Sequence, residues 1–502
     1  MLQAKSIFQK EISNNPYLFV NLVFAFFPFS FIFGTLIVNL NFLLFCCLGI
    51  FYLKSKILRT KYDFAIKIIF LFFLIVFLST TLNVIKSQYF DGYESDLNLV
   101  RFTKSILFFR FFLFLIITYL LNKYDILDFK YFFLTAAFAS ILVSLDIIYQ
   151  YIFGSNIIGL KNTAPAHVDT LAAFNVRNSG FFGDEYIAGG YIQRFAFFAI
   201  FPTILLFKNN NYTKFIFPLV IICVLGAGIL FAGNRMPLVL FIFGLLLVFL
   251  FNRKIRKIMF IGLIALLILL KFIISSNENY KNTYHHLFYS AQSMLYAPAI
   301  KVWSLFQKVD EQSPKIKNFF YKGRTVRLES YHERLFLTAI DTWKFNKVLG
   351  NGIKSFREVC HKLREMPDIN LEERIFDAEG ILKGTATLAP EEVTYFNKKN
   401  RLCSNHPHNY YLEILTETGI VGLVIISIIA LLFISFLFKN NKLIKQISIE
   451  NLIVLSAIIS LILETIPLRS AGSLFTTNNA TYLILIGSII LSYKTILKIK
   501  IE

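Results

Sequence analysis

A pair of histidines in front of an apolar stretch is the part of this sequence best suited to chemistry. His406 and His408 flank Pro407, and Asn409 follows. Proline fits the first turn of a helix, so the pattern predicts a helix that starts near Pro407 with His408 in its first turn. The positive N-terminal end of a helix disfavours imidazolium, and a neutral ring can accept a proton as a general base. A histidine that only caps a helix or bonds within a membrane-surface loop is the alternative.

The predicted helix continues through two glycines. His408, Leu412, Leu415, Gly419 and Gly422 follow one another at spacings of three and four residues, which places them on one face. Glycines on such a face allow another helix to approach closely. Free N–H groups at the start of the helix attract anions, so a base and an anion site are expected side by side. That combination suits attack on a sugar that is joined to a phosphate leaving group.

Arginines at the outer ends of apolar stretches are the second chemical signal. The main candidates, each close to glycines, are Arg177, Arg235 and Arg469, and weaker ones are Arg401, Arg194 and Arg334. A guanidinium matches diphosphate geometry with paired hydrogen bonds, so the set is predicted to bind a diphosphate. Any single one could instead lie among lipid headgroups. Arg101 and Arg110 fall inside a predicted span and are buried-charge candidates without an assigned role.

Composition indicates a polytopic membrane protein of the all-α class. Of 502 residues, 56% are hydrophobic and only 16% are charged, a balance that excludes a soluble globular domain. The net charge of +20 does not indicate nucleic-acid binding, because the basic residues cluster in short loops between apolar stretches. The first apolar stretch is long and aromatic and is followed by others, so we interpret it as a span and not as a signal peptide.

About twelve stretches are long enough to cross a bilayer as helices. They lie near residues 17–33, 35–53, 64–83, 99–121, 129–152, 186–206, 213–232, 235–251, 257–275, 410–437, 450–467 and 478–498. The chain thus divides into residues 1–275 with helices 1 to 9, one large loop domain at 276–409, and residues 410–502 with helices 10 to 12. Lys and Arg concentrate in one set of short loops and at both termini, which predicts cytoplasmic termini and a periplasmic 276–409 loop.

Within this loop, residues 330–345 predict a helix, residues 347–356 a glycine turn, and residues 367–400 an acidic excursion without pattern. Cys360 and Cys403 both fall here, in an oxidising compartment, which favours a disulfide between the glycine-turn segment and the histidine segment. Two free thiols are the alternative. The remaining cysteines fall in predicted spans and are interpreted as packing residues.

No metal is predicted. His406 and His408 would need a third ligand to bind zinc, and none is evident in the sequence. Glu94 and Asp96, in a short outer loop, come closest to an acidic metal motif. A solvated acidic turn explains them better.

The histidine segment resembles the signature of the O-antigen ligase and O-antigen polymerase superfamily. The likeness rests on His408-Asn409 followed by Gly419-x-x-Gly422 within the string HPHNYYLEILTETGIVGL. Looser similarities surround Arg177, Gly233-Asn-Arg235, Glu333-Arg334 through Trp343 to Gly350-Asn-Gly352, and Pro467-Leu-Arg469 with Asn478. Together these pieces cover the chain from about Arg177 to Ala480.

This resemblance implies a bacterial inner-membrane glycosyltransferase whose donor is a polyprenyl-diphosphate-linked glycan. It implies transfer with inversion, without metal or cofactor, in which His408 deprotonates the acceptor hydroxyl and Asn409 orients the ring or a substrate hydroxyl. Arg177, Arg235, Arg469 and Arg401 would bind the diphosphate.

The acceptor separates two enzymatic alternatives. It is lipid A-core for an O-antigen ligase, which the histidine-to-glycine spacing slightly favours, and another lipid-linked repeat unit for a polymerase. A lipid-linked glycan flippase or other transporter is the non-enzymatic alternative. Transporters more typically place their charges at the midplane of broken helices, whereas this chain concentrates histidines and arginines at its outer face.

Overall fold

The computed structural model describes residues 16–90, 95–161, 177–206, 211–276, 280–281, 284, 331–365, 372–376, 382–387, 402–444, 447–467 and 469–498. Its helices are α1 (Leu18–Ala25), α2 (Phe27–Ile32), α3 (Thr35–Leu53), α4 (Lys56–Arg59), α5 (Phe64–Phe90), α6 (Ser95–Lys123), α7 (Phe129–Phe153), α8 (Ala188–Leu206), α9 (Asn211–Phe231), α10 (Arg235–Phe251), α11 (Arg256–Ser276), α12 (Tyr331–Trp343), α13 (Phe356–Glu365), α14 (Tyr410–Ile444), α15 (Ile449–Glu464) and α16 (Thr477–Lys498). A 3₁₀ turn covers Gly180–Phe182, and two short strands, β1 (Glu372–Phe376) and β2 (Leu382–Thr387), pair antiparallel.

Six of the described helices, α3, α5, α6, α7, α11 and α14, are long and apolar enough to cross a membrane. Shorter apolar helices occupy Leu18–Ile32, Phe215–Phe231 and Arg235–Phe251. The helical membrane class is therefore confirmed, while the count of about twelve spans and the periplasmic placement of the loop stay predictions. The first predicted span is interrupted between α1 and α2, where Pro28 lacks the N–H that would continue the ladder.

Local sequence signals set several helix ends. Asp128 precedes α7 and accepts a 2.9 Å hydrogen bond from the Lys130 N–H. Gly154, with φ of 77°, ends the same helix in the left-handed conformation. Ser448 caps α15 through a 3.2 Å bond from the Asn451 N–H. These caps satisfy backbone groups that the first and last helical turns leave free.

The helices form one bundle around a continuous apolar core. Helix α8 packs against α7, α9 and α15, while α16 packs against α6 and α14 packs against α5. Large apolar side chains also point outward, for example Phe438, which is 78% exposed on α14. An apolar surface of this kind suits contact with lipid chains and not with water.

A second, small core lies outside the bundle. Leu335 and Ala339 of α12 pack with Phe356 and Cys360 of α13, and Leu402, Cys403 and Leu412 cover them. The predicted helix at residues 330–345 is present as α12. The predicted patternless excursion at 367–400 is corrected in part, because β1 and β2 form a hairpin there.

Candidate active site

Asn409, and not Pro407, starts helix α14. Its Oδ1 accepts hydrogen bonds from the N–H groups of Tyr411 and Leu412, at 3.0 and 3.1 Å, which is the geometry of a helix cap. His408 lies just before the helix with φ of 57°, and its carbonyl accepts a 2.8 Å bond from the Ala471 N–H. The prediction that His408 occupies the first helical turn is therefore wrong. The Asn409 side chain caps the first N–H groups of α14, so the helix begins after Asn409 and not at Pro407.

The two histidines form a close pair. Their ring centroids lie 4.2 Å apart, and Nε2 of His406 is buried without a hydrogen-bond partner among the described residues. Burial, then the neighbouring charges of His408 and Lys354, lower the pKa of His406 to about 4. His406 therefore stays neutral near pH 7 and leaves His408 beside an uncharged neighbour.

Asn409 also joins the histidine segment to the loop between α15 and α16. Its Nδ2 donates a 2.5 Å hydrogen bond to the Pro467 carbonyl, and the side chain is only 5% exposed. Together with the His408–Ala471 bond, this contact holds the histidine segment against Pro467 and Ala471. All of the Asn409 side-chain contacts named here are to backbone groups, which fits a residue that positions its neighbours.

Glu464 is one of the charged residues that sequence reasoning missed, along with the cavity-lining Lys104 and Lys354. Its buried carboxylate accepts hydrogen bonds from Arg194 at 2.6 and 3.1 Å, from Arg469 at 2.6 Å and from the Tyr410 hydroxyl at 2.8 Å. Arg194 also donates to Asn479 Oδ1 at 2.6 Å and lies 4.7 Å from the Tyr482 ring. An isolated glutamate at the end of an apolar stretch is the signal that could have found it.

A cavity of about 740 Å³ opens at the end of the bundle where α8, α10 and α16 begin. Its cationic lining consists of Lys104, Arg110, Arg194, Lys354 and Arg469. Phenylalanine and tyrosine rings from α2, α6, α8 and α16 supply apolar walls. A cavity that is positive and apolar together suits a ligand with an anionic head and a hydrocarbon chain.

Two of the cavity cations donate hydrogen bonds to neutral hydroxyl groups. Arg110 donates to Thr477 Oγ1 at 3.0 Å and lies 4.9 Å from the Phe111 ring, while its buried Nε has no acceptor among the described residues. Lys354 donates to Ser473 Oγ at 2.7 Å. Ser473 in turn donates to the buried carboxylate of Glu413 at 2.5 Å, so Lys354 lies within a polar chain that reaches α14.

The described arginines of the predicted diphosphate-binding set do not all lie in one place. Arg469 lines the cavity, as does the weaker candidate Arg194, whereas exposed Arg177 and half-buried Arg235 are not part of its lining. Arg401 lies outside the described residues, and so does the Arg334 side chain. Of the two arginines without an assigned role, Arg110 lines the cavity and Arg101 pairs with Glu358 of α13.

Of the two glycines in the family-like motif, Gly419 accommodates a loop and Gly422 faces its own helix. Gly419, with φ of 66°, interrupts α14, and an added Cβ would collide with the Val348 carbonyl and, at 2.6 Å, with the Gly350 N. At Gly422 an added Cβ would meet the Thr418 hydroxyl of the same helix. The expectation that both glycines admit a second helix is therefore wrong, because the chain segment that approaches Gly419 is the turn before α13.

Backbone hydrogen bonds close this interruption. Asn351 and Gly352 donate to the carbonyls of Thr416 and Glu417 at 2.9 Å, and Ile420 donates to the Lys347 carbonyl at 3.0 Å. From α5, Ser79 Oγ donates to the Glu417 carbonyl at 2.8 Å and Asn83 Nδ2 to the Gly350 carbonyl at 2.8 Å. The groups that a broken helix leaves free thus find partners in the turn and in α5.

Cys360 and Cys403 are joined in a disulfide, with Cα atoms 5.7 Å apart, as the sequence analysis expects. The bridge attaches α13 to the histidine segment. With His361, these cysteines are also the one described group whose side chains could hold a metal ion. Because the two sulfurs are bonded to each other, neither is available as a thiolate ligand.

The fold and the site together define an integral membrane protein with a cationic cavity. Neither His406 nor His408 is part of the cavity lining, but the lining residue Gly472 directly follows Ala471, whose N–H donates to the His408 carbonyl. Residues 217–427 match the family model described as O-antigen ligase, and this match supports the O-antigen ligase superfamily for the chain. The match includes His408, the disulfide and the turn at Gly350, and it ends before Glu464 and Arg469. No curated protein matches the sequence. The family implies a glycosyltransferase-like enzyme that acts on lipid-linked glycans in a bacterial inner membrane.

Proposed function

We propose that this protein transfers a glycan from polyprenyl diphosphate to a sugar hydroxyl of lipid A-core on the periplasmic face, as an O-antigen ligase does. The observation that carries this proposal is the cationic cavity, whose lining residue Gly472 follows the residue that donates a hydrogen bond to the His408 carbonyl. The opposite end of the bundle holds the lysine- and arginine-rich loops, such as Lys54 to Lys61 and Arg253 to Lys257. That asymmetry supports cytoplasmic termini and a periplasmic site.

The donor diphosphate is assigned to the cavity. Glu464 neutralises part of the charge of Arg194 and Arg469, whereas Arg110, Lys104 and Lys354 form no described ion pair. A diphosphate there meets more cations than carboxylates, and guanidinium forks can bind it bidentately. This assignment keeps Arg469 from the sequence analysis and replaces Arg177 and Arg235 with Arg110 and Lys354, because of the cavity lining. Arg401 lies outside the described residues.

His408 acts as the general base in this proposal. Its neighbour His406 is held neutral. The His408 carbonyl accepts a hydrogen bond from Ala471, which precedes the cavity-lining Gly472. The His408 imidazole takes the proton of the acceptor hydroxyl while the oxygen forms a bond to the anomeric carbon. The bond between that carbon and the phosphate oxygen breaks with inversion, and polyprenyl diphosphate leaves with the electron pair. Cavity cations stabilise the charge that develops on it. No metal or cofactor is assigned a step.

A complementation experiment tests the proposal. A strain without the gene receives the wild type, His408→Ala, Arg110→Ala, or the matched controls His361→Ala and Arg253→Ala, whose exposed side chains lie away from the cavity. Envelope glycans and polyprenyl-linked intermediates are then separated on gels. We expect the wild type and the controls to place long glycan on lipid A-core, and the two site variants to accumulate long lipid-linked chains.

Other outcomes point to the alternatives. Site variants that stop at a single lipid-linked repeat unit would indicate a polymerase. Variants in which lipid-linked glycan stays on the cytoplasmic face would indicate a flippase. If His408→Ala and Arg110→Ala both assemble normal product, the active site proposed here is wrong.

A further inference from the structure

Among the described residues that line the cavity, Glu185 is the only carboxylate. It is exposed and lies in the loop between the 3₁₀ turn at Gly180–Phe182 and α8. Every other charged side chain in the lining is a cation, yet no ion pair among the described residues involves Glu185. The Glu185 carboxylate is therefore not engaged in an ion pair with the described cations of the lining and can contact a ligand.

The backbone around Glu185 is fixed. The Glu185 N–H donates to the Phe182 carbonyl at 3.1 Å. The Asn234 side chain, just before α10, bridges Tyr186 and Gly189. Its Nδ2 donates to the Tyr186 carbonyl at 3.0 Å, and its Oδ1 accepts from the Gly189 N–H at 3.0 Å. The loop therefore presents its carboxylate at a defined part of the cavity wall.

The chemistry of a carboxylate restricts what it can contact. It repels a diphosphate, so it should lie beyond the reach of the anionic head. It accepts hydrogen bonds from hydroxyl groups, and bonds to a charged acceptor are stronger than those between neutral groups. Phe182 and Tyr186 line the cavity beside it and offer apolar faces. Sugar rings present both features, hydroxyl donors on the rim and apolar C–H groups on the faces.

We propose that Glu185 accepts hydrogen bonds from hydroxyl groups of the donor glycan, in the sugars next to the diphosphate. This inference rests on the proposed function, because it requires a glycan-bearing diphosphate in the cavity. It divides the cavity into a cationic part around Arg110 and Lys354 and a sugar-binding part at the Glu185 loop. Glu185 thereby distinguishes a glycosylated donor from the bare polyprenyl diphosphate that remains after transfer.

Direct binding tests this division. The purified full-length protein is titrated with bare undecaprenyl diphosphate, and separately with the glycan-bearing lipid extracted from cells that lack the gene. We expect Glu185→Gln to weaken binding of the glycan-bearing lipid about tenfold, the effect of one charged hydrogen bond, and to leave bare lipid within about twofold. Asp184→Asn, the exposed neighbouring carboxylate outside the lining, is the matched control and should change neither.

The outcomes separate this inference from the proposed function. If Glu185→Gln binds both lipids as the wild type does, or weakens both equally, the sugar contact is overturned. Arg110→Ala should weaken both lipids. If it weakens neither, the diphosphate assignment and with it the proposed function fail. Unchanged binding of bare lipid by Glu185→Gln also shows that this variant is folded.

Discussion

Nη1 of Arg469 lies 2.6 Å from Oε2 of Glu464, and both oxygens of the same carboxylate accept hydrogen bonds from Arg194 of α8. The glutamate side chain is fully buried, while the two arginine side chains are 11% and 19% exposed. One carboxylate thus fixes two guanidinium groups at the wall of the cavity. Because Tyr410 of α14 donates to it as well, the cluster also connects the first residue of that helix to α15.

Replacing Glu464 by Gln should destabilise the protein strongly. Removal of one partner from a buried ion pair leaves uncompensated charge and typically costs about 3–5 kcal/mol. Thermal unfolding in detergent measures the loss. The matched control is Asp341→Asn, which breaks the 2.7 Å pair with exposed Lys344 and should cost no more than about 1 kcal/mol. Equal losses in the two variants would show that Glu464 does not stabilise the cluster through its charge.

Stability should fall in mild acid because of His406. The pKa of this ring is about 4 in the folded protein, below its ordinary value of 6.5. Its full contribution to stability is present above pH 6.5, and it is lost as the pH falls towards 4, since the unfolded state binds the proton first. Unfolding temperatures of the wild type and His406→Asn at pH 7.5 and pH 5 test this. The wild type should lose more on acidification, and parallel losses would contradict the prediction.

Loss of the disulfide should loosen the histidine segment. The bridge closes a loop with a sequence separation of 43, for which the entropic model predicts about 3–4 kcal/mol. Cys360→Ser, Cys403→Ser and the double variant should therefore show similar losses of thermal stability and of glycan transfer, whereas Cys223→Ser, a free cysteine of α9, should show neither. If the double variant is as stable and as active as the wild type, the disulfide does not stabilise the histidine segment.

The close approach at Gly419 should tolerate no side chain. Gly419 has a positive φ, and both it and Gly350 press against backbone atoms of the other segment. Alanine at either position should reduce the amount of folded protein recovered from membranes, measured by fluorescence-detected size exclusion. Gly487→Ala on α16 is the control, because an added Cβ there meets nothing within 4 Å. Normal yields for Gly350→Ala and Gly419→Ala would argue against the described contact.

Apolar length and cysteine placement allowed much of the fold to be predicted from the sequence. The ranges of α7, α8, α12 and α16 follow from continuous apolar or amphipathic stretches with clear ends. The interruption of α14 could not be predicted this way, because apolar residues continue across Gly419 at helical spacing. The hydrogen bonds that satisfy the interrupted backbone come from the distant turn at Lys347 to Gly352 and from Ser79 of α5.

The candidate site was predicted in part. The histidine segment and Arg469 are local signals, since they stand beside proline or glycine at the edge of an apolar stretch. The Arg194–Glu464 pair joins residues 270 positions apart, and no local pattern reports which buried charges will meet. Arg110 was visible as a charge inside a span, yet its place in the cavity depends on how α6 packs against α16.

The junction of the turn at Lys347 to Gly352 with the break in α14 has a consequence for exchanging parts between relatives. The turn at Lys347 to Gly352 does not pack independently of the bundle. Its backbone completes the hydrogen bonding of α14, and Ser79 and Asn83 of α5 donate to carbonyls at the same junction. A chimera that swaps only the loop would leave unmatched backbone groups in apolar surroundings. A chimera should therefore fold only when the loop is exchanged together with the facing parts of α5 and the first half of α14.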